Sequence, residues 1–280
     1  HPLFVVNGTI ALNMAIRALD LKGEIITTAF SHPVTTICIG YEHCTPVFVD
    51  IDPRTFGIDP AAIEARITPR TTAIMATHVY GIPCDVDAIE AIAKKHGLKG
   101  IYDAAHAFGT TIGGQSILNR GHISTTSYHA TKIFHTVEGG SVHATDPELA
   151  HRLRLLRTMG QSGESFFIPG LNCKNSEMHA AMGMANLPYY ADIMAQRRHQ
   201  WQQYAALLQG SRVELAQVAD PEGYNHSYFP AVFRSEAVLM EVRKALEADR
   251  IFPRRYFHPA ITELPYIART GECPVAESMA

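Results

Sequence analysis

Lys132 closes the run Ser127-Tyr128-His129-Ala130-Thr131-Lys132 behind a β-rich segment, and Glu138-Gly139-Gly140 supplies a glycine turn beyond it. An amine so placed is reachable yet partly desolvated. Desolvation lowers its pKa, which leaves neutral nucleophile available to attack an aldehyde carbon. Asp103 follows the apolar Gly100-Ile101-Tyr102 and precedes Ala104-Ala105-His106, a carboxylate at the end of a buried strand beside residues small enough to leave room for a ligand. A carboxylate buried there needs a cationic partner. Asn7-Gly8-Thr9 forms a turn at the start of a helical pattern, where backbone N–H groups and the Thr9 hydroxyl suit a phosphate.

Each feature alone has an ordinary reading: a surface lysine, a helix-capping aspartate, an N-capping turn. Together they match one small molecule. A phosphate at Gly8, Thr9 and Ser127, a ring nitrogen against Asp103 and an aldehyde carbon on Lys132 are the groups of pyridoxal 5'-phosphate.

The elements that must hold these residues show in the pattern. Leu3-Phe4-Val5-Val6 reads as a strand leading into the turn, and Leu12, Ala15, Ile16 and Leu19 recur at helical spacing after it. Short β-rich runs over 24–28, 46–49, 72–77, 98–102 and 124–128 alternate with helical patterns from Val34, Pro60 and Val86. The last has Val86, Ile89, Ile92 and Ala93 on one face, Asp85 and Asp87 at its start and Gly97 as a stop. This alternation predicts an α/β fold with a mostly parallel central sheet flanked by helices, with ligands beyond the carboxyl ends of the strands. Long helical stretches follow over 147–159 and 177–208, the second broken near Pro188, and from Val213 to about Ile267 strand-like and helix-like segments return, 238–248 being the best helix. The expected organisation is a large domain over 1–150, connecting helices over 151–210 and a small C-terminal α/β domain over 211–280.

The chain has 280 residues, 46% hydrophobic and 18% charged, enough for a sizeable core. A formal net charge of -3 gives no general attraction to nucleic acid or an anionic membrane, so an anionic ligand must be captured locally. No apolar run approaches the roughly 20 residues that span a bilayer, and no signal peptide opens the chain, so a cytoplasmic protein is expected. The cysteines Cys38, Cys44, Cys84, Cys173 and Cys273 are scattered and contain no CxxC pair, which argues for free thiols and against a disulfide framework or a zinc site. No GxGxxG turn follows the first strand, which disfavours a nicotinamide dehydrogenase.

The sequence resembles the DegT/DnrJ/EryC1/StrS family of sugar aminotransferases, in the fold-type I class of pyridoxal phosphate enzymes. The resemblance is carried by residues 7–12, 46–52, His78-Val79-Tyr80-Gly81, 103–107 and 127–140, and it runs through nearly the whole chain. It implies that Asp103 keeps the ring nitrogen protonated, that His106 contacts the ring or its 3-hydroxyl, and that Lys132 first holds the cofactor as a Schiff base and then shuttles a proton. Gly170-Leu171-Asn172-Cys173-Lys174 resembles the segment in which relatives offer an asparagine to the neighbouring subunit's cofactor phosphate, which implies Asn172 in that role and a homodimer with shared active sites. The implied reaction moves an amino group, from glutamate in most of the family, to a nucleotide-linked keto sugar. A 4-keto-6-deoxyhexose on dTDP or UDP is favoured, with C3 amination open. Two alternatives share the fold: a catalytically silent or regulatory member, and a sugar dehydratase, against which Lys132 argues because that branch has histidine there.

Several departures stand out. His32, in Phe30-Ser31-His32-Pro33, aligns where relatives place a ring-stacking phenylalanine, so His32 or Phe30 takes that place. Asn175 follows Lys174 where a methionine is frequent, and relatives carry several dozen more residues at each end, so the chain reads as trimmed. Residues 254–259 resemble the family's late strand near the sugar nucleotide or the donor carboxylate, though adjacent Arg254 and Arg255 equally read as surface charge. His226-Ser227-Tyr228 either lines the pocket or belongs to a satisfied strand.

Overall fold

The computed structural model describes residues His1–Ala280. Its main sheet has seven strands, β1 (Pro2–Val5), β2 (Glu24–Thr28), β3 (Thr45–Val49), β4 (Thr71–Thr77), β5 (Lys99–Asp103), β6 (Ile123–Ser127) and β7 (Gly140–Ala144). They lie in the order β1-β7-β6-β5-β4-β2-β3. The run from β3 to β6 is parallel throughout, and β7 is antiparallel to both of its neighbours. β1 therefore points the same way as β6. The carboxyl ends of β1, β2, β4, β5 and β6 share one edge, which brings the turn at Asn7, Asp103 and the segment after Ser127 together.

The expected strands form within a residue or two of their predicted limits, but β7 is an addition. Gly140-Ser141-Val142-His143-Ala144 is too short and too rich in small residues to signal a strand, and pairing along its whole length with β6 and over residues 140–143 with β1 makes it one.

The helices of six residues or more are α1 (Gly8–Ala18), α2 (Val34–Tyr41), α3 (Val86–His96), α4 (Pro147–Arg157), α5 (Glu177–Asn186), α6 (Tyr190–Leu207), α7 (Glu236–Ala248) and α8 (Pro274–Met279), while the pattern from Pro60 forms one helical turn, Pro60–Ile63, continued by a 3₁₀ turn, Glu64–Arg66. α3 has the predicted ends: Asp85 accepts the Ala88 N–H, and Gly97 is a left-handed C-cap with φ 66°. The stretch expected over 177–208 divides at a 3₁₀ turn, Leu187–Tyr189, where Pro188 lacks the N–H that a continuous helix needs. α4 stops at Arg157, short of the expected Met159, whose φ of 61° is not helical.

One face of the sheet packs Leu12, Met14, Ile16, Ile39, Leu153 and Leu156 from α1, α2 and α4 on Val5, Ile25, Met75, Ile101 and Ile123. The other packs Val86, Ile89 and Ala93 of α3 on Ile26, Ile74 and Tyr102. Strands buried on both faces read as continuous apolar runs, and each such aliphatic side chain contributes about 1.5–3 kcal/mol on burial.

A third cluster joins Phe30, Phe56 and Tyr80 to Tyr224, Phe257, Ile261 and Ala276. The C-terminal residues thus share a core with loops of the large layer. Residues 211–280 comprise α7, α8, a ribbon pairing 214–215 with 231–232, and irregular chain. The late strand expected over 254–259 does not form. Pro253 and Pro259 remove ladder donors, and Phe257 packs instead on Phe30 at 5.4 Å and on Tyr80 at 5.9 Å between ring centroids. No helix is long and apolar enough to cross a membrane.

Candidate active site

Asn7 caps α1 by accepting the Ile10 N–H at 2.9 Å. The Gly8 and Thr9 N–H groups remain at the positive end of the helix without an intrahelical partner. A Cβ on Gly8 would lie 3.0 Å from Ser127 Cβ, so the helix start and the end of β6 meet because residue 8 has no side chain. The Ser127 Oγ accepts the His129 N–H at 3.4 Å, which leaves its proton to donate. The start of α1 and the Ser127 hydroxyl thus lie side by side.

Asp103 ends β5 and is buried. Its hydrogen-bond donors are the Thr35 hydroxyl, 2.8 Å from Oδ2, and the Ala105 N–H, 3.1 Å from Oδ1. Burial pushes the carboxyl above the usual range, opposed by these hydrogen bonds and then by the charges of Lys132 and His32. Two donors leave lone pairs free on a buried carboxylate, room for a cationic ring N–H. No side chain forms an ion pair with Asp103, Lys132 acting on it only through its charge, and Thr35 is a contact that sequence reasoning missed.

Lys132 sits on the loop between β6 and β7, closed by the Tyr128 N–H on Gly139 O at 2.8 Å and the Thr136 N–H on Tyr128 O at 2.9 Å. Burial pulls its ammonium below the ordinary value, Asp103 opposes that, and Arg254 adds to it. Asn175, a departure in the sequence, ties this loop to β1: its Nδ2 donates to Val5 O at 3.3 Å and to Glu138 O at 3.0 Å.

His106 Nδ1 accepts the Tyr80 N–H at 3.2 Å, which puts the imidazole proton on Nε2. Burial holds the ring neutral, with the charges of Lys132 and His32 acting in the same direction. Asn225 Nδ2 donates to His106 O at 2.8 Å and to Phe108 O at 3.0 Å, and Ser227 Oγ to His106 O at 3.1 Å, so the 223–228 segment braces this loop. The Tyr228 ring lies 4.5 Å from the His106 ring. His226 turns the other way, buried edge-on against Trp201 at 5.8 Å.

Of the two stacking candidates, Phe30 is locked in the third cluster. His32 keeps an exposed ring, its pKa lowered by desolvation and by Lys132 against the pull of Asp103. Asn172 is exposed, its Oδ1 accepting from Lys174 Nζ at 2.5 Å, and no hydrogen bond joins it to the other site residues. A cavity of about 690 Å³ opens beside the site, lined by Phe30, Tyr80, Thr131, Tyr228, Arg254 and Tyr256 among others.

Solved structures carry this same architecture. The whole chain superposes on DesI, crystallised in the presence of its TDP-sugar product, with a TM-score of 0.91 and 32% identity, covering 100% of this chain and 73% of that one. The fold class is that of the pyridoxal-phosphate-dependent aminotransferases. Within it, the chain belongs to the DegT/DnrJ/EryC1/StrS aminotransferase family, whose model matches residues 1–280. It is 41% identical over 272 residues to dTDP-4-amino-4,6-dideoxy-D-glucose transaminase of Shigella dysenteriae, covering 95% of this chain and 74% of that one. It is 36% identical over 287 residues to UDP-N-acetyl-3-dehydro-alpha-D-glucosamine 3-aminotransferase of Acidithiobacillus ferrooxidans, covering 100% and 77%. Membership of this family implies dependence on pyridoxal phosphate.

Proposed function

We propose that this chain is a pyridoxal-phosphate-dependent aminotransferase that turns the keto group of a nucleotide-linked keto-deoxy sugar into an amine, with glutamate as donor. The observation that carries the reading is the approach of Gly8, at the open start of α1, to Ser127, with a buried carboxylate, Asp103, and a half-buried amine, Lys132, near enough for their charges to act on each other. When bound, the cofactor supplies an electron-poor ring that accepts the electron pair left as a substrate carbon loses its proton.

The chain's own residues do the rest. The Gly8 and Thr9 N–H groups and the Ser127 hydroxyl would hold the phosphate. Asp103 would accept the ring N–H and keep that nitrogen protonated. His106 would offer Nε2–H to the 3-hydroxyl, and His32 would lie against the ring. Lys132 would hold the aldehyde carbon, and its amine, kept below the ordinary lysine range by burial, would carry a proton between the substrate carbon and the cofactor carbon that bore the aldehyde. Arg254, at the cavity beside this amine, suits the donor's carboxylate or the sugar nucleotide's phosphate.

A dTDP-linked 4-keto-6-deoxyhexose is the favoured substrate, supported by the Shigella relative and by DesI, whose product is a TDP-sugar. The Acidithiobacillus relative keeps C3 amination as the second option. We read the enzyme as a homodimer. Phe166, Phe167, Met178, Met184, Leu187 and Tyr189 are exposed along one segment, a density of apolar surface that a second copy would cover, with Asn172 reaching the partner's cofactor phosphate. Five buried free cysteines suit a reducing cytoplasm.

The test is an absorbance spectrum of the protein with added pyridoxal phosphate, before and after borohydride, followed by peptide mass mapping. A reducible band with the adduct on Lys132 supports the reading, and glutamate and dTDP-4-keto-6-deoxyglucose then test the two half-reactions. No band, or an adduct on another lysine, refutes the assignment.

A further inference from the structure

Asp103 Oδ2 is the end of a line of buried hydroxyls. Thr35 Oγ1 lies 2.8 Å from it, Ser31 Oγ lies 2.9 Å from Thr35 Oγ1, and Thr77 Oγ1 lies 3.3 Å from Ser31 Oγ. All three side chains are at most 5% exposed. They come from separate elements: Ser31 from the loop after β2, Thr35 from the first turn of α2, and Thr77 from the end of β4, in register with Asp103 on β5.

The direction of this line follows from proton counting. An ionised carboxylate only accepts, and a hydroxyl has a single proton to donate. Thr35 gives its proton to Asp103 and must therefore accept from Ser31. Ser31, its proton spent on Thr35, accepts from Thr77. Every donor points toward the carboxylate, and hydrogen bonds in such a chain polarise one another.

We infer that Thr77, Ser31 and Thr35 form a one-way hydroxyl relay that holds Asp103 ionised and aimed, with Thr35 as its positioning residue. A carboxylate buried this deeply otherwise takes up a proton, and a neutral acid cannot stabilise a protonated ring nitrogen. The Ala105 N–H shares that work at Oδ1, and the titratable groups facing Asp103 leave the rest to be done. Lys132 and His32 attract it from a distance, His106 is neutral, and the Cys38 thiol on α2 is neutral as well, its pKa pushed up to about 12. The relay's catalytic consequence rests on the proposed cofactor; the relay itself does not.

The test is a pH titration of the Asp103 carboxyl carbon by ¹³C NMR in the full chain without cofactor, the signal identified by its loss in Asp103→Asn. Thr35→Val should raise the carboxyl pKa by about one pH unit or more, the effect of losing a hydrogen bond to a charged group. Thr35→Ser should restore the parent titration. Ser31→Ala leaves the direct Thr35 bond in place and should give a smaller upward shift. A parent-like titration in Thr35→Val overturns the positioning role. An unmoved titration in Ser31→Ala reduces the relay to one hydrogen bond, and it decides the matter even if Thr35→Val fails to fold. The borohydride adduct on Lys132 is scored separately: an adduct with an unmoved carboxyl sinks the relay alone, and a relay without an adduct sinks the cofactor reading alone.

Discussion

Gly140→Ala should loosen phosphate binding although residue 140 itself is not assigned to the phosphate. Gly140 opens β7 and pairs with Val5 on one side and Ser127 on the other. A Cβ there would lie 2.5 Å from the Asn7 carbonyl carbon and 2.7 Å from both Asn7 O and Gly8 N. These are backbone atoms of the turn that opens α1, so no flexible side chain can yield. Restoring a contact of about 3.5 Å requires the turn to retreat by roughly 1 Å. Overpacking of this kind costs about 1–3 kcal/mol of stability. The same retreat takes the Gly8 N–H out of hydrogen-bond range of a phosphate oxygen. One bond to a charged group is worth about 1.5–3 kcal/mol, so pyridoxal phosphate should bind roughly 10- to 150-fold more weakly. The assay is a pair of measurements, the urea midpoint and the cofactor Kd by absorbance titration. Gly97→Ala is the control: its φ is 66° but nothing lies within 4 Å, so it should lose stability and keep its affinity. A Gly140→Ala chain with the parent's Kd and urea midpoint would refute the close-approach argument.

Lys132→Met should raise the melting temperature of the cofactor-free chain at neutral pH. The folded pKa of Lys132 is lowered by burial, so the unfolded chain binds that proton more tightly and the parent gains stability as pH rises toward the ordinary lysine range; an unchanged melting profile from pH 7 upward would count against this. His143 is likewise held neutral by burial, its pKa pushed from 6.5 down to about 4. Stability should therefore fall as pH drops below about 6.5 and level off near 4, and urea midpoints of His143→Gln across that window should show a flatter slope. Phe30→Ala should cost about 3–5 kcal/mol and make residues 249–273 the first site of limited proteolysis, because Phe30 anchors Phe257 to the large layer. Phe167→Asp combined with Met184→Lys should give a monomer by light scattering with unchanged far-UV circular dichroism; a persistent dimer would place the interface elsewhere.

Much of the site was legible because its signals are local. Lys132 and Asp103 each stand at or just beyond the end of a β-rich run, and Asn7-Gly8-Thr9 joins a strand to an amphipathic helix, so each position along its own element could be read directly. Asp85 and Gly97 marked the ends of α3 for the same reason: capping depends on the few residues around the terminus. Other parts gave no such signal. Tyr80 could be quoted as part of a motif, yet its N–H holding the His106 tautomer depends on two strand-end loops meeting. Asn175 looked like a mere departure until Val5 and Glu138 were beside it. Residues 254–259 look like a strand by type, but flanking prolines and a docking surface of Phe30 and Tyr80 decide otherwise.

By itself the sequence determined the alternation of strands and helices, hence a mostly parallel α/β sheet, and it marked the three groups proposed here for a pyridoxal phosphate site. Only the tertiary structure decided which hydroxyls point at Asp103, why Gly140 must lack a side chain, and that β7 separates β1 from β6 in the sheet. Periodicity and capping are set by neighbours within a few residues, so they survive in a linear string. Hydrogen bonds such as Thr35 to Asp103 and steric approaches such as Gly140 to Asn7 join residues far apart in sequence, and they exist only once the sheet has set its strand order.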